Sequence, residues 1–222
     1  MTKKRCVLFG SSGDIGNAIL SELDRNAFDV VEVNRNKIGS LSYEGFFSAN
    51  ETYDSVIISL GIMGLKPIKL TDIDFLQKFL DTNFLLPAKI ILFLIQQKLL
   101  NDGANIVVIS SISGQSVWKK GTSAYSASKA ALNSFVRSVS IELKRNCTIN
   151  ALCPGMVESK NTVDLTNQIS LDTIKRDKLN YPMGYISTES VARYSVFLAT
   201  EASNSQVNGT LIEIDGGHNY FR

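Results

Sequence analysis

Six short apolar, β-branched runs restrict this sequence more than any other feature. They are CVLF at 6–9, VVEV at 30–33, SVIISL at 55–60, NIVVIS at 105–110, TINALC at 148–153 and TLIEID at 210–215. Between them, helical periodicity predicts helices over about 15–25, 72–100, 123–145 and 188–200. Several of the strands are continuously apolar rather than alternating, which marks strands buried on both faces. Strand-helix alternation of this kind predicts an α/β fold, a single Rossmann-like doubly wound parallel sheet with helices on both faces. Between Val33 and Ser55 the pattern weakens to one poor strand near 45–47, with little room for a crossover helix. At 222 residues, with no linker-like stretch, the expectation is one domain spanning 1–222.

Composition removes several function classes. Lys and Arg number 23 against 21 Asp and Glu, a net charge of +2, so no basic stripe argues for nucleic acid. Cys6, Cys147 and Cys153 fall far apart or on predicted strands, and His218 stands alone, so no metal set is expected. They read as reduced core thiols of a cytoplasmic protein. The basic opening MTKKRCVLFG carries too short an apolar run for a secretory signal. The most apolar region, 79–100, is interrupted by Asp81, Asn83, Pro87 and Lys89, which predicts a buried helix rather than a membrane span. The expected partner is a small molecule, with no membrane and no nucleic acid.

In FGSSGDIGNAI, Gly10, Gly13 and Gly16 follow the first strand and open a helix. In a doubly wound sheet that turn lies at the carboxyl edge, where helix N–H groups face a ligand's phosphates. Gly10, Ser11, Ser12, Gly13, Asp14, Ile15 and Gly16 are therefore candidate cofactor-binding residues, and a capped turn without a ligand is the alternative. The Asp14 carboxylate suits a phosphate site only if it faces away. At the end of the second strand stand Asn34 and Arg35, and a guanidinium there suits a 2'-phosphate, so NADP(H) is favoured over NAD(H). Glu32 is the competing residue, an acid for a free ribose hydroxyl if the strand is one residue shorter.

TSAYSASKAALNSF places Tyr125 and Lys129 one turn apart on one helical face. A phenol titrates near 10. An ammonium close by in a partly buried cleft, helped by an oxidised nicotinamide, is expected to bring it toward neutrality.

The chain resembles the short-chain dehydrogenase/reductase family. The resemblance runs in order through GSSGDIG, TNFLLP with Asn83, VVISSISG with Ser111, YSASK, INALCPGMVES and NGTLIEIDGG. It implies that Asn83, Ser111, Tyr125 and Lys129 are catalytic. Tyr125 would be general acid or base, and Lys129 would hold the nicotinamide ribose and depress the Tyr125 pKa. Ser111 would bond the substrate oxygen, and Asn83 would hold a water linking Lys129 to solvent. Ser110 or Ser113 are alternatives to Ser111. Pro154, Gly155 and Val157 would line the nicotinamide side, with Leu60 and Gly61 near the adenosine. A nucleotide-binding sensor or scaffold without turnover is the rival reading.

The sequence departs from the family pattern at three places. Asp14 stands at the middle glycine, ISLG replaces the usual asparagine pair, and the adenine acid has no counterpart in 36–54. The resemblance also implies a substrate lid over about 157–185 and a homodimer or homotetramer packed through the helices at 72–100 and 123–145. Trp118 and Met183 are candidate apolar walls, Lys119 and Lys120 candidate contacts for an anionic group. Arg145 is a further basic residue, placed at a helix end.

Overall fold

The computed structural model describes residues 3–34, 51–143, 147–160, 171–201 and 206–218. Among the described residues, six parallel strands form the main sheet: β1 (Lys4–Phe9), β2 (Phe28–Val33), β3 (Tyr53–Ile58), β4 (Leu100–Ile109), β5 (Thr148–Pro154) and β8 (Leu211–Ile214). Their order is β2-β1-β3-β4-β5-β8. The chain therefore winds outward from β1 in both directions, and the crevice between β1 and β3 is the point at which such sheets bind ligands. All six predicted strands are present. The weak strand near 45–47 lies outside the described residues.

Period-two alternation divides the strands between two cores. Val7, Phe9, Val56, Ile58, Ile106, Val108, Ile149 and Ala151 face one side. There they meet Ile90, Ile91 and Leu94 of α3 (Leu86–Gln96) and Leu132 and Val136 of α4 (Ser123–Glu142). Cys6, Leu8, Ile57, Val107 and Leu152 face the other side, against Ile19 of α1 (Asp14–Glu22) and Val191, Ala192 and Leu198 of α6 (Thr188–Thr200). Both sheet faces are covered, which is why the strands read as unbroken apolar runs.

The predicted helix 72–100 contains two helices and a wider turn. α2 (Ile73–Leu80) starts at Asp72, whose carboxylate accepts the Phe75 N–H at 2.7 Å. A π-helical turn, Asp81–Leu85, separates it from α3. Pro87 causes the interruption: it has no N–H to give the Asn83 carbonyl one turn back, and its ring crowds that carbonyl. Within Ile73–Gln96, a span long and apolar enough by composition to cross a membrane, Phe79, Ala88, Ile90, Ile91 and Leu94 are buried against the rest of the fold. After β5, β6 (Val157–Glu158) pairs with β7 (Ile186–Ser187), and between them α5 (Leu171–Leu179) packs beside the site.

Candidate active site

The glycine turn is shaped by two demands within the protein and one that the protein does not make. Gly10 has φ +87°, and a Cβ there would stand 2.3 Å from the Ser59 carbonyl oxygen. At Gly16 a Cβ would stand 2.0 Å from the Gly10 carbonyl oxygen, so this glycine serves the turn's own closure rather than helix-sheet contact. Gly13, at the N-cap of α1, would meet nothing closer than 3.7 Å. A side chain there is excluded by no protein atom, as fits a position that leaves room for a ligand. Asp14 is held within the protein: its carboxylate accepts the Lys160 N–H at 2.6 Å.

A cleft of about 470 Å³ opens over this turn, lined by Gly10, Ser12, Gly13, Asp14 and Ile15. The opposite walls include Leu60, Gly61, Tyr125, Lys129, Pro154, Gly155 and Val157. Three expected cofactor residues do not line it. Ser11 is buried beneath the turn, Gly16 is packed on Gly10, and Asn34 stands beyond the cleft at the end of β2. Arg35 and Arg145 lie outside the described residues. Glu32 sits within β2 and its carboxylate pairs with Arg25 at 2.9 Å.

Three elements carry the candidate catalytic set: α4, the 3-10 turn after β4 and the π turn. Tyr125 and Lys129 project from one face of α4, and both are buried. The Phe79 ring braces Tyr125 edge-on at 6.4 Å between centroids. Lys129 Nζ donates to the Ile109 carbonyl at 2.9 Å and lies 6.0 Å from the Tyr125 ring centroid. Ser111 caps a short 3-10 turn, Ile112–Gly114, accepting the Ser113 N–H at 3.1 Å, and its side chain lies beside the Tyr125 phenol, which it helps to ionise. Ser110 is committed elsewhere, donating to Asn133 Oδ1 at 2.6 Å. Gly114 lets this turn sit on α4, because a Cβ there would come within 2.7 Å of the Lys129 backbone.

Asn83 is buried in the π turn with its amide fully used. Oδ1 accepts the Ile62 N–H at 2.7 Å, and Nδ2 donates to the Ile62 carbonyl and to Ser128 Oγ, each at 3.0 Å. A Cβ on Gly61 would lie 3.2 Å from Asn83 Oδ1 and 3.4 Å from Lys129 Nζ, so this glycine keeps the base of the cleft open.

Electrostatics differ from the sequence expectation. Lys129 does not bring the Tyr125 phenol down. Burial holds the phenol above its usual 10, and the bond with Ser111 opposes this only in part. The reason is mutual burial: desolvation pushes Lys129 itself down to about 8, and its Nζ engages the Ile109 carbonyl. Burial also pushes the neighbouring Cys153 thiol up to about 12, leaving it neutral beside the ammonium.

A second cavity, also of about 470 Å³, meets the first along Met63, Ser111, Tyr125 and Gly155, which line both. Its other walls include Val117, Lys119, Lys120, Ile174, Asp177 and Tyr181. The expected walls Trp118 and Met183 are not among its lining residues: they are 68% and 83% exposed, and Val117 turns inward instead. Sequence reading also missed Ile62 and Ile109, which act through backbone atoms common to every residue, and Asp177, which lies far from its partners in sequence.

A parallel sheet with a glycine turn at its switch point and a tyrosine-lysine helix beside it defines an oxidoreductase of the doubly wound α/β class. The chain belongs to the short-chain dehydrogenase/reductase family: a family model described as enoyl-(acyl carrier protein) reductase matches residues 21–219. It is 30% identical over 243 residues to a 3-oxoacyl-(acyl-carrier-protein) reductase of Rickettsia felis, covering 98% of this chain and 97% of that protein. The corresponding Chlamydia muridarum reductase is 25% identical over 217 residues, covering 95% and 85%. Among solved structures, a short chain dehydrogenase family protein from Francisella tularensis superposes with a TM-score of 0.84 at 23% identity, covering 99% of this chain and 100% of that one. An angucycline C-6 ketoreductase with bound NADP gives 0.79 at 17%, covering 98% and 96%. At these identities the two structures speak for the fold.

Proposed function

We propose that this enzyme transfers hydride between NADP(H) and a carbonyl or alcohol substrate of the ketone, aldehyde, 3-oxoacyl or keto-sugar type. The observation that carries the reading is the seam between the two cavities, where the hydroxyls of Tyr125 and Ser111 stand together with Lys129 behind them. Two hydroxyls converging at one place suit a single oxygen that gains charge and then a proton.

The cleft fits a nicotinamide dinucleotide, since its floor is a glycine turn at a helix N-terminus with space kept free at Gly13 and Gly61. Gly10 to Gly16 would hold the pyrophosphate, Leu60 and Gly61 the adenosine, Lys129 the nicotinamide ribose, and Pro154, Gly155 and Val157 the ring. Such a cofactor supplies the hydride that reaches the carbonyl carbon, or takes it up in the reverse direction. Ser111 donates a hydrogen bond to the substrate oxygen, and Tyr125 passes its phenolic proton to that oxygen. Burial favours the protonated phenol, which suits the acid role. The Lys129 ammonium stabilises the phenolate left behind. Asn83, in the π turn behind Lys129, would hold a water that links Lys129 to solvent.

Preference for NADP(H) rests on Asn34 and Arg35, and on Glu32 being paired with Arg25. We further read the chain as one cytoplasmic domain with 157–185 as the substrate lid. It would assemble as a homodimer or homotetramer through α2–α3 and α4, where Leu92 is 41% exposed. The 3-oxoacyl reductases among its relatives support carbonyl reduction.

The test follows NADPH and NADH absorbance against ketones, β-ketoacyl thioesters and keto-sugars. Turnover with NADPH that disappears in Tyr125→Phe supports the reading. Tight NADPH binding without turnover of any carbonyl replaces it with the sensor.

A further inference from the structure

The substrate-side cavity has a lining that sorts by charge. Most of its wall is apolar, with Met63, Val117, Ile174 and Tyr181 among the residues lining it. Two lysines and one carboxylate also reach it: Lys119, Lys120 and Asp177. On sequence alone, Lys119 and Lys120 suit an anionic substrate. The tertiary contacts reverse that expectation. Asp177, brought in by α5, takes Lys119 Nζ on Oδ1 and accepts the Tyr185 hydroxyl on Oδ2 at 3.0 Å. Lys119 Nζ also stands 5.7 Å from the centre of the Tyr181 ring.

The Lys119 ammonium is thus neutralised inside the protein, and the pair is well shielded, with side chains 31% and 17% exposed. A substrate carboxylate entering here has to displace Asp177 or sit beside it, and like charges at close range in a shielded site repel strongly. Lys120 offers little compensation, because it is exposed and its charge is hydrated and screened.

We propose that the substrate is an uncharged carbonyl compound with an apolar body, and that Asp177, held by Lys119 and Tyr185, is the residue that rejects anionic carbonyls. This rests on the carbonyl-reductase reading above. Asp177 acts by specificity rather than by proton transfer, so its replacement shows in the ratio of substrates more than in the rate on the preferred one.

The experiment uses the full-length protein with NADPH and two probes of the same skeleton, methyl benzoylformate and benzoylformate. The expected kcat/KM favours the ester by about tenfold or more. Asp177→Asn, which frees Lys119 but retains an acceptor for Tyr185, shifts the ratio toward the acid by about tenfold, chiefly through the acid's KM. Lys119→Met, which leaves Asp177 uncompensated, shifts it the other way. A second measurement needs no variant: methyl mandelate inhibits the unmodified enzyme about tenfold more strongly than mandelate does. Equal or better use of the acid by the unmodified enzyme overturns the proposal, as does an unmoved ratio in Asp177→Asn or equal inhibition by the two mandelates. Those results leave the carbonyl-reductase reading standing. Absence of turnover with every carbonyl overturns both.

Discussion

The cleft over the glycine turn and the cavity beyond Tyr125 share four residues and a similar volume, yet they are made of different material. The cleft has a floor of backbone: glycines at a helix N-terminus and at strand ends, placed by the parallel sheet. The cavity is walled by side chains from well-separated segments, with Met63 near β3, Val117 after β4 and Asp177 on α5. A backbone site is inherited from the fold and tolerates almost no change at its tight positions. A side-chain site can be retuned by one substitution. This difference teaches where to look for generic chemistry and where for specificity.

The seam between the two regions is the most sensitive place. Tyr125→Phe is expected to lower turnover by about a thousandfold, within the range for loss of a general acid, while NADPH binding measured by fluorescence stays within about threefold of the parent. Loss of both together would break the separation of roles. Within the cleft, Gly16→Ala drives a Cβ to 2.0 Å from a backbone oxygen that cannot move aside cheaply. It should lower the urea midpoint by an amount equivalent to about 2–3 kcal/mol. Gly13→Ala has open space, so its urea midpoint should stay near the parent's while NADPH affinity falls by about tenfold. An unchanged affinity would remove Gly13 from the cofactor site.

Lys129, at the foot of the cleft, gives a pH signature. Its folded value of about 8 lies below the ordinary 10.5, so above pH 8 the unfolded chain binds more protons and stability rises with pH. Cys6 and Cys153, raised from 9.0 to about 12, act in the opposite direction from about pH 8 upward, because the folded chain keeps those protons longer. They offset most of the gain from Lys129, so stability should climb by only a few tenths of a kcal/mol between about pH 8 and 9 and then turn down. Denaturation of Lys129→Met should show no climb. The smallest effect is expected in the cavity wall. Tyr181→Phe removes only the hydroxyl that accepts the Met156 N–H at 3.1 Å, and should cost about 1 kcal/mol in stability with little change in turnover.

Much of the site was legible because its signals are local. Tyr125 and Lys129 are four positions apart on one helix, and Gly10, Gly13 and Gly16 follow directly on a buried strand. Ser111 was less certain, because strand register decides which serine turns inward. In the fold Ser110 donates to Asn133 and Ser111 lies beside Tyr125, a difference that only the packing of α4 on the sheet creates. Burial of both Tyr125 and Lys129 is a tertiary property, and in the protein alone its cost outweighs what the charge pair offers the phenolate. Trp118 was misplaced because neighbouring residues of a loop point in opposite directions, and Val117 took the inward one.

The alternation of strands and helices, the two-faced burial of the sheet, the glycine turn and the tyrosine-lysine face are all written into the order of residues. All of these follow from periodicities of a few residues and from what glycine and proline permit. Which charges remain available depends on how distant segments pack. Lys119 is neutralised by an aspartate on another helix, Asp14 is turned toward the Lys160 N–H, and Lys129 is anchored on a carbonyl. Pairings across long stretches of chain depend on packing, and a backbone oxygen looks the same under every residue name, so neither leaves a mark that spacing can reveal.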